Sequence, residues 1–186
     1  GTKMQTTDGK NQGITNVDYK KPLTISPVQY GFDYSFILPG SLDMYPYVFI
    51  RNGMWVGNVN KQRGWSAFNR IGPTEENFED YEVLNTFSNE VETFIEKNAT
   101  PSKSGKPFFL YFALTAPHTP TSPHPDFQGK TELGLYGDFV SEVDNCVART
   151  LSALKKHGID HNTMVVFTSD HGPASYAGNI KKATYN

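Results

Sequence analysis

Two short apolar runs joined by an amphipathic segment constrain this chain more than any other feature. Phe108-Phe109-Leu110-Tyr111-Phe112-Ala113-Leu114 follows Pro107 and runs without a polar break, as does Met164-Val165-Val166-Phe167 between Thr163 and Thr168. Each run is too short for an ordinary helix and is bounded by turn residues. That pattern predicts a strand buried on both faces, as in a parallel sheet. Between them, Tyr136, Val140, Val143, Val147, Leu151 and Leu154 recur at helical spacing from Leu133 onward. Lys155, Lys156, His157 and Gly158 then supply a favoured helix end. Strand, helix and strand in this order predict a right-handed crossover with parallel strands. The expected fold class is therefore α/β, a mostly parallel sheet flanked by helices.

An earlier helix is expected from about Thr74, with Leu84, Phe87, Val91 and Phe94 or Ile95 on one face. Thr74 and Asn77 are its candidate caps, and the cluster from Asn98 to Gly105 is expected to end it. Residues 1–75 read as mostly irregular, with one short strand near Tyr47-Val48-Phe49-Ile50. Residues 76–186 read as a helix-strand-helix-strand core.

Composition narrows the function classes. Aromatics make up 13% of 186 residues and the formal net charge is −2. The aromatic content argues for a folded core, and the charge balance gives no overall basic surface for nucleic acid. No apolar stretch is long enough to span a membrane. The polar N-terminus Gly1-Thr2-Lys3-Met4-Gln5 lacks the pattern of a signal peptide. One cysteine, Cys146, excludes an intrachain disulfide. It sits between Val143 and Val147 at helical spacing and reads as a small buried hydrophobe.

Parallel strands place their carboxyl ends on one edge, where ligands of such sheets bind. Thr115-Ala116-Pro117-His118-Thr119-Pro120 follows the first run and Ser169-Asp170-His171-Gly172 follows the second. His118, Asp170 and His171 are thereby expected to converge. Asp beside His suits a hard divalent cation, and Gly172 permits a sharp turn next to it. The same residues also suit a plain turn in which Asp170 caps the backbone and His171 faces solvent. His118 taken alone, near two prolines, reads first as a loop histidine that has no task, and the expected convergence is what favours a functional one. Tyr45, Tyr47, Trp55 and Trp65 could stack on a sugar ring or pack their loops against the core.

Four stretches in order resemble the formylglycine-dependent sulfatases of the alkaline phosphatase superfamily. They are Tyr30 to Phe36, Ser41-Leu42-Asp43-Met44-Tyr45-Pro46, Phe108 to Pro120, and Val165 to Pro173. The resemblance implies a sulfuric ester hydrolase acting on aryl or carbohydrate sulfates. It implies that Asp170 and His171 are two of four metal ligands, for Ca²⁺ with Mg²⁺ as the other option. It implies that His118 contacts the sulfate and the leaving-group oxygen, and that Ser41 helps bind the sulfate. The implied partner is a sulfated small molecule or glycan, in a periplasmic, secreted or lysosomal compartment.

The pattern departs from the family at the nucleophile. Cys146-Val147-Ala148-Arg149 does not have the spacing of a formylglycine motif, so the formylglycine is expected in an N-terminal part outside this chain. Lys181 and Lys182 lack the neighbouring motif of the family lysine. These residues alone are expected to be inactive. Two other readings stay open: a phosphatase or phosphodiesterase of the same superfamily, and a non-catalytic relative that binds sulfated glycans.

Overall fold

A computed structural model describes residues 2–66, 68–170 and 172. The chain divides into two compact units, residues 1–79 and 80–186.

The first unit contains five short strands: β1 (Phe36–Ile37), β2 (Ile50–Arg51), β3 (Met54–Trp55), β4 (Val59–Arg63) and β5 (Gly72–Glu75). β1, β2 and β3 form one antiparallel sheet, and β4 pairs antiparallel with β5. Asn52 and Gly53, both at positive φ, make the tight turn between β2 and β3. The core is aromatic. Phe49 stacks on Phe36 at 5.0 Å and meets Phe78 at 5.7 Å, with fully buried Tyr47 and Ile50 beside them. Burying each such side chain contributes about 1.5–3 kcal/mol. Stretches that read as irregular therefore hold short strands, too brief for a period-2 pattern to emerge.

The second unit is built on α1 (Val83–Lys103) and α2 (Gly134–Lys156), which pack together. α1 starts later than the sequence suggests. Thr74 lies in β5, and a 3-10 turn at Asp80–Glu82 leads into the helix. It also ends later, running through Pro101. Proline removes only its own N–H bond to the carbonyl four residues back. The buried side chains of Ile95 and Ala99 hold the last turns to the core, and Ser104 N–H caps Thr100 and Pro101.

α2 matches its expected span, but its buried face is rotated. Phe139, Glu142, Cys146 and Ala153 point inward, whereas Val140 and Leu151 are exposed. The rotation is set by carboxylates. Asp138 accepts the N–H groups of Gly129 and Thr131, both at 2.8 Å, and Glu142 accepts the N–H of His124 at 2.9 Å. Satisfying these loop donors outweighs burying two more aliphatic side chains. Arg149 fixes the register of the helix pair. Its guanidinium bonds both carboxylate oxygens of Glu92, at 2.7 and 2.9 Å, and the amide oxygens of Asn85 and Asn89.

The two apolar runs need correction in detail. Phe108, Leu110 and Phe112 pack on Val91, Ile95, Ala99, Ala153, Leu154 and Ile159, but Phe109 and Tyr111 are exposed. The alternation is that of an extended segment buried on one face, not two. Met164, Val165, Val166 and Phe167 are also exposed. No described residue pairs with either run in a ladder, and an apolar segment is buried on both faces only where neighbours flank it.

Candidate functional site

Ser41 lies in the first unit, in a loop with little freedom. A Cβ at Gly40 would come within 2.4 Å of the Met44 carbonyl oxygen, so the backbone closes on itself there. Ser41 then adopts φ 62, a left-handed conformation rare for a side-chain-bearing residue. Such backbone costs on the order of 1–3 kcal/mol and persists only where surroundings over-determine it. The surroundings do so. Leu42, next along, is buried, and its carbonyl accepts the side-chain amide of Asn69 at 2.9 Å. The Asp43 carbonyl accepts the N–H of Arg70 at 3.2 Å. The serine is thus half-buried on a loop clamped by Asn69 and Arg70.

His118 lies in the second unit, exposed, after the run that packs on the helices. Its Nδ1 is 2.5 Å from the Thr119 carbonyl oxygen. A carbonyl only accepts, so Nδ1 carries the hydrogen and Nε2 is left for another partner. The hydroxyls of Thr115 and Thr119 on either side are buried without a hydrogen-bond partner among the described residues. Orphaned buried hydroxyls are uncommon and mark a place where a polar group is wanted. Asp170 ends the second run, exposed. His171 falls outside the described residues, as do Lys181 and Lys182.

No group of three His, Cys, Asp or Glu side chains that could hold a metal occurs among the described residues. The Asp170 carboxylate is the right kind of donor for a hard cation, but Ca²⁺ takes about 6–8 oxygens. The described donor set therefore fits calcium in kind and falls short in number.

Cys146 is buried, its thiol directed at the Leu84 carbonyl at 3.9 Å. Burial pushes its pKa up, which suits a packing residue and not a nucleophile. A cavity of about 290 Å³ beside it is lined by Glu142, His124 and Arg149. Burial also pushes the Glu142 carboxyl up, against the opposing bond from His124 N–H. Of the four aromatic candidates, Tyr45 packs its ring against Gly72, Tyr47 is fully buried, Trp55 donates from its indole to the Lys21 carbonyl at 2.9 Å, and Trp65 is exposed. Sequence reasoning missed Asn69 and Arg70. They meet the serine loop 27 residues away from their own position, and no local pattern announces such a contact.

The sulfatase family profile matches residues 10–186. An N-acetylgalactosamine-6-O-sulfatase of Bacteroides thetaiotaomicron is 28% identical over 84% of this chain and 37% of its own length. The N-acetylgalactosamine-6-sulfatase of Mus musculus is 33% identical over 80% of this chain and 28% of its own. A solved structure from work on the metabolism of multiple glycosaminoglycans by Bacteroides thetaiotaomicron superposes with a TM-score of 0.74 at 25% identity. It covers 89% of this chain and 41% of that one. The chain spans well under half the length of these relatives. The matched region includes the serine loop, the His118 loop and Asp170, and the α/β, alkaline phosphatase-like fold expected from the sequence is the fold of this likeness. The family profile over nearly the whole chain settles its kinship: this chain belongs to the sulfatase family.

Proposed function

We propose that the complete protein carrying this chain is a sulfuric ester hydrolase acting on a carbohydrate or aryl sulfate. The observation that carries the reading is the sulfatase match over residues 10–186, within which Ser41 sits on a clamped, left-handed turn and His118 has its Nδ1 fixed by a carbonyl. The names of the relatives favour a sulfated amino sugar as the substrate class.

In this reading the Ser41 hydroxyl donates to a sulfate oxygen. Holding the loop rigid means that no ordering cost falls on the binding step. His118 presents Nε2 to the oxygen that leaves sulfur. With Nδ1–H held by Thr119, a protonated ring delivers its other proton to that oxygen as the S–O bond breaks. Asp170 and His171 would hold part of a calcium site, which would supply fixed positive charge against the sulfate oxygens. The nucleophile would be a formylglycine outside this chain.

The test is metal content and activity together. Asp170→Asn in the complete protein should lower bound calcium, measured by elemental analysis, and sulfate release with it. Unchanged calcium in this variant would remove Asp170 from the metal shell.

A further inference from the structure

The second unit holds a cavity that the sulfatase reading leaves unused. It lies beside Cys146, between α1, α2 and the 3-10 turn at Pro125–Phe127, and measures about 290 Å³. Glu142, Asn145, Asp126 and Phe127 line it. Glu142 is 2% exposed and its Oε2 accepts the His124 N–H at 2.9 Å, while Oε1 makes no hydrogen bond among the described residues. The side-chain amide of Asn145 makes none there either. A buried carboxylate oxygen without a donor is costly and uncommon. Neighbouring basic side chains do not serve it. The Arg149 guanidinium is committed to Glu92, Asn85 and Asn89. His124 accepts the Asp126 N–H on Nδ1 at 3.2 Å, so the neutral ring carries its hydrogen on Nε2, which lies 3.4 Å from Glu82. Asp126, its side chain 83% exposed, adds a second carboxylate on the solvent side of the same cavity.

We propose that this cavity binds a small aliphatic diammonium ion, with one ammonium on Glu142 Oε1 and the Asn145 amide oxygen and the other at Asp126. An ammonium carries three donors and no acceptor, which is what these unpaired acceptors lack. Bonds between two ionised partners are the stronger kind. The methylene chain between the two ends packs along Phe127. Burial raises the Glu142 pKa, and a cation beside Oε1 offsets that burial by favouring the ionised form. The size agrees: a cavity of about 150 Å³ holds benzene, so one near 290 Å³ holds roughly a dozen non-hydrogen atoms, enough for a short diamine. A metal ion fits less well, because no three His, Cys, Asp or Glu side chains among the described residues are grouped to hold one. An anion would meet two carboxylates. The inference does not depend on the sulfatase reading.

The complete protein should be titrated with 1,4-diaminobutane by calorimetry at low salt, with 1,4-butanediol as the uncharged match. The diamine should bind saturably, one ion per chain, and the diol should not. Glu142→Gln should weaken the diamine by ~10-fold or more, the worth of a hydrogen bond to a charged group. Asn145→Leu, at a half-buried helix position, fills the cavity and leaves the buried carboxylate in place, and it should weaken binding by a similar factor. Asp126→Asn should weaken the diamine by ~3-fold, as for an exposed pair, and leave 1-aminobutane unchanged. Asp144→Asn, exposed on the same helix and outside the cavity, should leave diamine affinity as it was. A melting curve for each variant shows that it is folded. The proposal is overturned if the diol binds as well as the diamine, or if the unaltered protein shows no saturable binding. Equal losses in Glu142→Gln and Asp144→Asn, or undiminished diamine affinity in Asn145→Leu or Asp126→Asn, would overturn it as well.

Discussion

The side-chain amide of Asn69 donates to the carbonyl of Leu42 at 2.9 Å, and both residues are buried. This one bond joins the turn before β5 to the loop that carries Ser41. Asn69→Ala leaves the Leu42 carbonyl buried without its donor, which costs about 1–3 kcal/mol. The expected result is a lower denaturant midpoint with faster hydrogen exchange around Ser41 to Tyr45. An unchanged midpoint would show that the bond is replaced at no cost and that the loop is held by other contacts.

Arg149 joins α2 to α1 through a two-pronged bond to Glu92. Lysine offers a point charge instead of a fork. Glu92 is 40% exposed, so solvent screens the pair and Arg149→Lys should cost only about 0.5–1 kcal/mol. The hydrogen bond from Arg149 holds the Glu92 carboxyl below its ordinary 4.5, against some burial. A depressed acid contributes its stability above the unfolded value and loses it as pH falls through the folded one. The gap between wild type and variant should therefore narrow in acid. A gap that stays constant or widens below that range would contradict the pairing.

Glu142 has the opposite sign. Burial raises its pKa above the ordinary 4.5, so the native state holds the proton more tightly than the unfolded chain does. Stability falls as pH rises from 4.5 through the raised native value, and the cost is complete above it. Glu142→Gln removes that cost and keeps an acceptor for His124 N–H. Melting temperature should rise near neutral pH and be unchanged well below 4.5. A variant less stable at neutral pH would show that the charge is favourable where it lies.

His118→Ala in the complete protein should lower turnover by roughly 100-fold, the usual worth of a general acid. The loss should shrink for good leaving groups, which depart without a proton. Equal losses across a leaving-group series would limit His118 to binding sulfate.

Legibility in the sequence followed the range of the forces. The helix periods announced α1 and α2, because Val91 and Ile95, or Cys146 and Leu154, recur within a few turns. The exact buried face of α2 was hidden, because Asp138 and Glu142 are drawn inward by backbone donors of a preceding loop and not by hydropathy. The strand-like run at 108–112 was visible, but which faces are covered depends on neighbours that periodicity does not encode. His118, Ser41 and Asp170 stand in the sequence as motif positions whose roles the experiments on the complete protein test. The strain at Ser41 and its clamp by Asn69 were not legible there, since they arise from contacts distant in sequence.

The most direct measurement is the ratio of kcat/KM for a sulfate ester to that for the matching phosphate ester, on the complete protein assayed with calcium supplied. The account predicts release of inorganic sulfate as the strongly preferred reaction, abolished or nearly so by the combination of Ser41→Ala and His118→Ala. Phosphate ester cleavage with no sulfate release would contradict it, and would move the chain's chemistry to the phosphatase reading.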